Sequence, residues 1–321
     1  MDIFFYEAFE EEQHFLKTYA KKHKIQGDYT WKTIQECGHA KPPAPIISIR
    51  TQSIIPSSWS SQVSAFLTRS TGFDHVKRYL KANQTTIPCG YLPLYCNRAV
   101  AEQALLLWLS LMRKLKQQTA SFLSFQRDGL TGYECEHKTL LVVGVGKIGL
   151  EIIRLGKGVG MNCLGVDIVK KHTDVTYVSI EEGLKKADVI VCAMNLTEEN
   201  EKYFNYSLFQ KVKKGAIFIN IARGELSPSE DLLLALEEGI LSGIGLDVYN
   251  KEAELAVKLR EGSSFQSKTI DATLQLQKHP QAILTPHNAF NTLEAVKKKS
   301  KQSIEQAKNF LKEGKFIWSI D

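Results

Sequence analysis

"LLVVGVGKIGLEII", residues 140–153, decides the fold. Leu140–Val143 is an apolar run that reads as a buried strand. Gly144, Gly146 and Gly149 follow it in G-x-G-x-x-G spacing and open a helix. The first glycine permits a tight turn, the second lets a backbone approach a pyrophosphate, and the third allows close helix–strand packing. The new helix offers free N–H groups and a positive dipole end to the phosphates. A glycine-rich turn without a ligand can carry the same letters, so the surroundings decide. Asp167 ends the strand-like run "NCLGVD", eighteen residues past Gly149, where a ribose-binding acid belongs. Such an acid accepts from a ribose 2′-hydroxyl and repels a 2′-phosphate, which favours NAD over NADP. Lys147 and Ile148 lie in the same cofactor-binding turn.

Outward from this turn, the chain alternates strand and helix. Strands are predicted at Cys163–Val166, Val189–Cys192, Ala216–Ile221, Ile244–Val248 and Ala282–Leu284. That alternation with short connections implies an α/β protein with a doubly wound parallel sheet. Ser227, Pro228 and Glu230 predict a helix from Ser227, as N-cap, first-turn proline and capping-box acid. Residues 251–281 carry no clear assignment. Upstream, Ile3–Tyr6 and Ile46–Ile49 read as strands, Glu10–Lys24 as a charged helix, and "VSAFLTRSTGFDHV" (63–76) as a strand running into a turn. From Ala99 a long helix is apolar on most faces and is expected to be largely buried. Lys116–Lys138 is more polar and is expected to cross between lobes, and the chain closes with a helix over about Leu293–Lys312.

With 321 residues, two domains are expected. The net charge of +6 draws on local runs such as Lys297, Lys298, Lys299 and Lys301, which read as a solvated helix face rather than a nucleic-acid surface. Six cysteines show no metal-ligand spacing, so no metal is expected, and Cys163 and Cys192 sit in apolar runs as small hydrophobes. Neither a signal peptide nor a membrane-spanning stretch is read, and a reduced cytoplasmic protein is expected.

The chemistry gathers at strand ends. "GAIFINIARGELSP" (215–228) places Arg223 just beyond a buried strand with a flexible Gly224 beside it. An arginine there is either a strand end returning to solvent or a fork of donors for a carboxylate. Asp247 ends "IGLDV", Glu252 follows five residues on, and "ILTPHNAF" puts His287 just past another strand. Ligands of parallel sheets bind at such carboxyl ends. An arginine, an acid and a histidine converging there suit hydride chemistry on a carbonyl beside a carboxylate. The arginine orients the substrate, the histidine delivers the proton, and the acid favours its charged form.

These stretches resemble, in order, the signatures of the D-2-hydroxyacid dehydrogenases: "GVGKIG" with Asp167, "INIARGEL", "GLDVYNKE" and "LTPHNAF". "LTRSTGFDHV" and "YCNRAVAEQALLLWL" are similar to the family's substrate loop and domain-crossing helix, and the likeness spans about residues 45–295. It implies two Rossmann-like domains, with a doubly wound NAD domain (97–290) inserted into a smaller flavodoxin-like substrate domain (1–96 and 291–321). It implies Arg223, Glu252 and His287 as catalytic residues, and Ala222 and Asp247 on the cofactor surface, Asp247 near the nicotinamide carboxamide. Thr71 and Gly72, next to Ser70, are implied at the carboxylate site, with Tyr95 and Phe290 as pocket aromatics and a homodimer as the assembly. The long spacing from Glu252 to His287 resembles the D-lactate dehydrogenase branch, although Gln103 stands where many relatives have His. The activity implied is NAD-dependent interconversion of a 2-keto acid and its D-2-hydroxy acid, first pyruvate and D-lactate. The alternatives are 2-ketobutyrate, hydroxypyruvate or glyoxylate as substrate, or a non-catalytic NAD-sensing protein on the same fold.

Overall fold

The apolar runs of the sequence become the strands of two all-parallel sheets, one in each of two units. The computed structural model describes residues 1–262 and 267–320. The first unit comprises Met1–Cys96 and Asn291–Asp321, and the second Asn97–Phe290. No helix among the described residues is long and apolar enough to cross a membrane.

In the first unit the chain runs β1 (Ile3–Phe5), α1 (Glu10–His23), β2 (Gly27–Tyr29), α2 (Ile34–Cys37), β3 (Ile46–Ile49), β4 (Ala65–Thr68), α3 (Asp74–Ala82) and β5 (Cys89–Gly90). The sheet order β2-β1-β3-β4-β5 is the flavodoxin-like one. β1, β3 and β4 are buried at every position, as parallel strands covered on both faces must be. β2 and β5 were not anticipated: Gly-Asp-Tyr and Cys-Gly are too short and too mixed to show a strand period. Near the C-terminus Ser319 adds an antiparallel bridge to Gly90.

In the second unit follow α4 (Asn97–Met112), α5 (Leu115–Ser121), β6 (Thr139–Val143), α6 (Lys147–Gly158), β7 (Asn162–Val166), β8 (Thr176–Tyr177), α7 (Ile180–Lys186), β9 (Val189–Cys192), α8 (Tyr206–Phe209), β10 (Ala216–Asn220), α9 (Ser229–Glu237), β11 (Leu241–Leu246), α10 (Glu252–Glu261), α11 (Lys268–Lys278) and β12 (Ala282–Leu284). The sheet order is β12-β11-β10-β9-β6-β7-β8, so the chain winds outward to β8 and restarts at β9 on the other side of β6. That reversal between β6 and β9 opens the crevice in which doubly wound sheets take their ligands. The unassigned stretch after residue 251 holds α10 and α11. Lys116–Lys138 lies wholly inside the second unit, so it does not cross between lobes; the chain changes unit at Cys96/Asn97 and at Phe290/Asn291.

α9 starts one residue later than the capping pattern predicts, at Ser229 with Pro228 as its N-cap and no side-chain cap bond. The Ser227 hydroxyl is taken instead by the Asn220 amide at 2.7 Å, and Glu230 accepts from Thr269 at 2.6 Å. A second departure concerns α12 (Leu293–Glu313), in the first unit. Lys297, Lys298 and Lys301 are exposed as a solvated face requires, but Lys299 is fully buried. It shares the stripe of Ala295, Val296 and Ser303 and faces α1, where its ammonium lies 3.1 Å from the buried Glu12 carboxylate. The same Glu12 oxygen accepts from Arg69 at 2.9 Å. Arg69 in turn donates to Ser48 Oγ at 3.0 Å and to the Tyr6 carbonyl at 2.7 Å. Arg69 therefore ties the end of β4 to β1, β3 and α1, and it fixes where the chain enters Ser70–Gly72.

Burial works against this cluster's charges. It pushes the Lys299 amine down to about 7, aided by Arg50 and Arg69 and opposed by Glu12. Burial alone would raise the Glu12 carboxyl, but Arg69 and Lys299 outweigh it and hold it at about 2. Between about pH 7 and the ordinary lysine value of 10.5 the unfolded chain binds the proton that folded Lys299 releases, so stability rises with pH across that window. Glu12 contributes stability that is lost as pH falls from 4.5 towards 2. Glu12→Gln leaves the buried Arg69 without its carboxylate and is expected to cost about 3–5 kcal/mol in chemical denaturation at pH 7, with Lys299→Met neutral or stabilising. A Glu12→Gln midpoint equal to wild type would mean that the carboxylate is not holding the cluster.

Candidate active site

Four segments of the second unit meet beyond the carboxyl ends of β10, β11 and β12. The first begins with Asn220, a polar residue at the end of the otherwise apolar β10, fully buried. Its amide donates to the Arg223 carbonyl (2.8 Å) and to Ser227 Oγ (2.7 Å), and its oxygen accepts from Ala222 N–H at 2.9 Å. Those three bonds hold the 222–227 turn that presents Arg223. The guanidinium is half-buried, and Nη1 donates to the Ala222 carbonyl at 2.8 Å. Gly224, which reads from sequence as a flexible residue beside the arginine, has a different reason. A Cβ on it would stand 1.8 Å from the Tyr249 carbonyl carbon, so only glycine lets this turn press against the 249–250 backbone.

Asp247 lies just past β11 and is 1% exposed. One oxygen accepts from Thr285 Oγ1 (2.5 Å) and Asn288 N–H (2.8 Å), the other from Ala289 N–H (2.9 Å). Burial raises its carboxyl above the usual range, while His287 and these donors pull it back. Tyr249 adds a bond from its hydroxyl to the Thr285 carbonyl at 2.6 Å, and Gln103 on α4 donates to Thr285 Oγ1 at 3.3 Å. The 285–289 segment is thus held from three directions. Within it His287 adopts a left-handed φ of 50°, a conformation non-glycine residues hold only where their surroundings enforce it. That backbone turns the imidazole towards α10, whose first residue is Glu252. His287 Nδ1 lies 2.7 Å from Glu252 Oε1, with the two side chains 16% and 18% exposed. A carboxylate at a helix N-terminus is also favoured by the dipole. With Nδ1 committed to Glu252, Nε2 is the ring nitrogen left to meet a ligand.

The glycine turn packs as its spacing predicts. A Cβ on Gly149 would stand 2.0 Å from the Gly144 carbonyl, whereas one on Gly146 would meet nothing within 4 Å. Backbone is therefore packed on one side of the turn and open on the other, at the N-terminus of α6, with Lys147 exposed there and Ile148 half-buried. This is a cradle that a diphosphate fits. Asp167 accepts from Val145 N–H (2.7 Å) and Val169 N–H (3.0 Å), which aims the carboxylate along the same turn.

The remaining predicted residues divide between the units. Phe290 is buried and closes the second. Thr71, Gly72 and Tyr95 lie in the first and are brought together there. The Tyr95 hydroxyl points at the Arg69 carbonyl (3.5 Å), Thr71 Oγ1 donates to the Leu92 carbonyl (3.2 Å), and Leu92 N–H to the Ser70 carbonyl (3.1 Å). Sequence reasoning left Asn220, Tyr249 and Thr285 without a role and Gln103 unexplained. The one signal available was polarity out of place, as with Asn220 closing "AIFIN".

The model of the D-isomer specific 2-hydroxyacid dehydrogenase NAD binding domain matches residues 105–289. A D-lactate dehydrogenase of Streptococcus agalactiae serotype III is 36% identical over 240 residues, covering 71% of this chain and 70% of that protein. A D-2-hydroxyacid dehydrogenase (NAD+) of Lacticaseibacillus paracasei is 33% identical over 256 residues, covering 78% and 76%. The crystal structure of D-lactate dehydrogenase from Aquifex aeolicus, complexed with NAD and lactic acid, is similar with a TM-score of 0.85 at 27% identity, over 98% of this chain and 99% of that one. With the open glycine turn, Asp167 and the half-buried histidine–glutamate pair in place, these likenesses identify the chain as an NAD-dependent oxidoreductase belonging to the D-isomer specific 2-hydroxyacid dehydrogenase family.

Proposed function

We propose that this protein reduces a small 2-keto acid, pyruvate first, to its D-2-hydroxy acid, and catalyses the reverse. The observation that carries the reading is the Glu252–His287 pair at 2.7 Å, in the same unit as Arg223, whose turn packs on the backbone of residues 249–250. NAD supplies or accepts the hydride when bound. Arg223 grips the keto acid and polarises its carbonyl. His287 Nε2 gives the carbonyl oxygen its proton, and Glu252 holds the ring and offsets the imidazolium charge. Asp247 has spent three acceptor sites on the 285–289 segment, and the one remaining suits the nicotinamide carboxamide. The Met1–Cys96 unit with its C-terminal return is the substrate domain, in which the backbone of Thr71 and Gly72 takes the carboxylate and Tyr95 meets the side chain.

A methyl suits the Tyr95 ring, and desolvating a second acidic group there without a partner costs several kcal/mol, on the order of what buried ions pay. Arg98 does not supply that partner, since it is 57% exposed and paired with Glu102 (2.6 Å) and Glu151 (3.4 Å). NADH oxidation with pyruvate, 2-ketobutyrate, hydroxypyruvate, glyoxylate and oxaloacetate tests the reading. Oxaloacetate as best substrate would overturn the pocket assignment, and no turnover of any would reject the activity.

Three further assignments go with this reading. Asp167 sets the NAD preference by repelling a 2′-phosphate, so Asp167→Ala is expected to narrow the ratio of kcat/KM between NADH and NADPH. Wild-type protein that used the two equally would remove that role. The protein is a homodimer, supported by the exposed apolar residues Leu115, Phe122, Leu123, Phe125 and Tyr133, and light scattering measures its mass directly. It works in the reducing cytoplasm, supported by six cysteines that form no disulfide.

A further inference from the structure

The loop implied at the substrate carboxylate is held from behind by a relay of side chains that reaches away from it. Ser70 Oγ donates to the Gly72 carbonyl at 2.7 Å. Thr68 Oγ1 lies 2.6 Å from Ser70 Oγ, and His75 Nε2 lies 3.2 Å from Thr68 Oγ1. A hydroxyl has one proton to give. Ser70 gives its proton to the Gly72 carbonyl, so at the next link Thr68 donates and Ser70 accepts. Thr68 has then spent its proton, so at the last link it accepts from His75, whose Nε2 carries hydrogen. The relay therefore runs in one direction: His75 to Thr68 to Ser70 to the Gly72 carbonyl.

Its end point matters because a peptide is planar and trans, so the carbonyl and the following N–H point in opposite directions. Pinning the Gly72 carbonyl towards Ser70 turns the Phe73 N–H away from it. Among the described residues, the backbone N–H groups of Thr71, Gly72 and Phe73 meet no protein acceptor. Thr68 is fully buried and Ser70 nearly so, which removes water as a substitute for a missing link. His75 itself sits half-buried on the first turn of α3, one turn of chain beyond the loop.

We propose that His75 is a positioning residue for the substrate carboxylate, acting through Thr68 and Ser70 on the peptide planes of residues 71–73. The proposal rests on the assignment of the carboxylate to Thr71 and Gly72. His75 touches neither substrate nor cofactor in this scheme. It sets the aim of the donors, so it governs how tightly the keto acid binds and leaves the proton transfer at His287 alone.

The test is steady-state kinetics with pyruvate and saturating NADH, with thermal melts and NADH affinity as controls on folding. His75→Leu removes the donor and is expected to raise KM about fivefold to tenfold with kcat within about twofold, the size of one hydrogen bond lost behind the site. His75→Gln places an amide N–H near the Nε2 position and is expected to restore KM, which a merely space-filling role would not do. Thr68→Val cuts the same relay at its middle, so the double variant His75→Leu/Thr68→Val is expected to be no worse than the more severe single one. Gly72→Pro deletes a loop N–H while keeping the carbonyl that receives the relay, and it tests the carboxylate assignment itself. If Gly72→Pro raises KM and His75→Leu does not, the relay is overturned and the carboxylate site stands. If neither changes KM, the carboxylate assignment falls and the proposal with it. A His75→Gln protein as impaired as His75→Leu also overturns the relay.

Discussion

Replacing His287 by alanine is expected to slow keto-acid reduction by about two to four orders of magnitude while leaving NADH affinity unchanged. The expectation comes from the backbone as much as from the ring. His287 is held at a φ of 50°, and Asp247 fixes the segment around it through Thr285, Asn288 and Ala289. Such strain persists where the surrounding structure over-determines it, and here it turns the imidazole onto Glu252 at 2.7 Å. Glu252→Gln keeps the shape and can keep a hydrogen bond, but it removes the charge that offsets an imidazolium. It is therefore expected to lower kcat for reduction by about one to two orders of magnitude with NADH affinity unchanged. A kcat equal to wild type in Glu252→Gln would separate Glu252 from His287 in function, whatever the distance between them.

How much of this was legible in the sequence follows from which interactions are local. The glycine turn, the strand ahead of it and Asp167 lie within one strand–helix–strand unit, and the spacing alone carried them. The central strands were legible because parallel strands buried on both faces are continuous apolar runs, as in "AIFIN" and "VIVC". Edge strands were not: β8 is Thr-Tyr, held by β7 rather than by its own pattern. Lys299 was misread because lysine at helical spacing is ordinarily a solvated face. Its burial depends on Glu12, which is 287 positions away in the chain, and on a helix stripe that only packing reveals. The start of α9 slipped for a similar reason, because Asn220 claimed the serine that would have capped it. In the candidate site, the charged residues announced themselves, while the groups that aim them did not. Asn220, Tyr249, Thr285 and Gln103 act through backbone carbonyls and hydroxyls, contacts that no residue pattern records.

Arg223→Lys is expected to behave as a severe substitution although it preserves the charge. In the structure one guanidinium nitrogen is anchored on the neighbouring Ala222 carbonyl at 2.8 Å, and Asn220 fixes that same turn through three bonds. The anchor sets the plane of the guanidinium, and a planar fork with a fixed plane can meet a keto acid through two parallel N–H bonds. Lysine offers three donors, but they radiate from one rotating nitrogen at the end of a flexible stem. It can satisfy the Ala222 carbonyl or the substrate with correct aim, and it cannot do both along parallel directions. The loss falls on the transition state as well as on binding, since charge grows on the carbonyl oxygen as reduction proceeds. A rise in KM for pyruvate is therefore expected together with a fall in kcat, reducing kcat/KM by about two to three orders of magnitude. NADH affinity is expected to be unchanged, because the glycine turn and Asp167 belong to other segments of the sheet. Exogenous guanidine added to Arg223→Ala gives the sharper form of the test, since a free guanidinium restores a donor fork where added ammonium does not. Equal recovery with guanidinium and ammonium would reduce Arg223 to a point charge. Near-normal kcat/KM in Arg223→Lys would return it to the plainer role of a strand end meeting solvent.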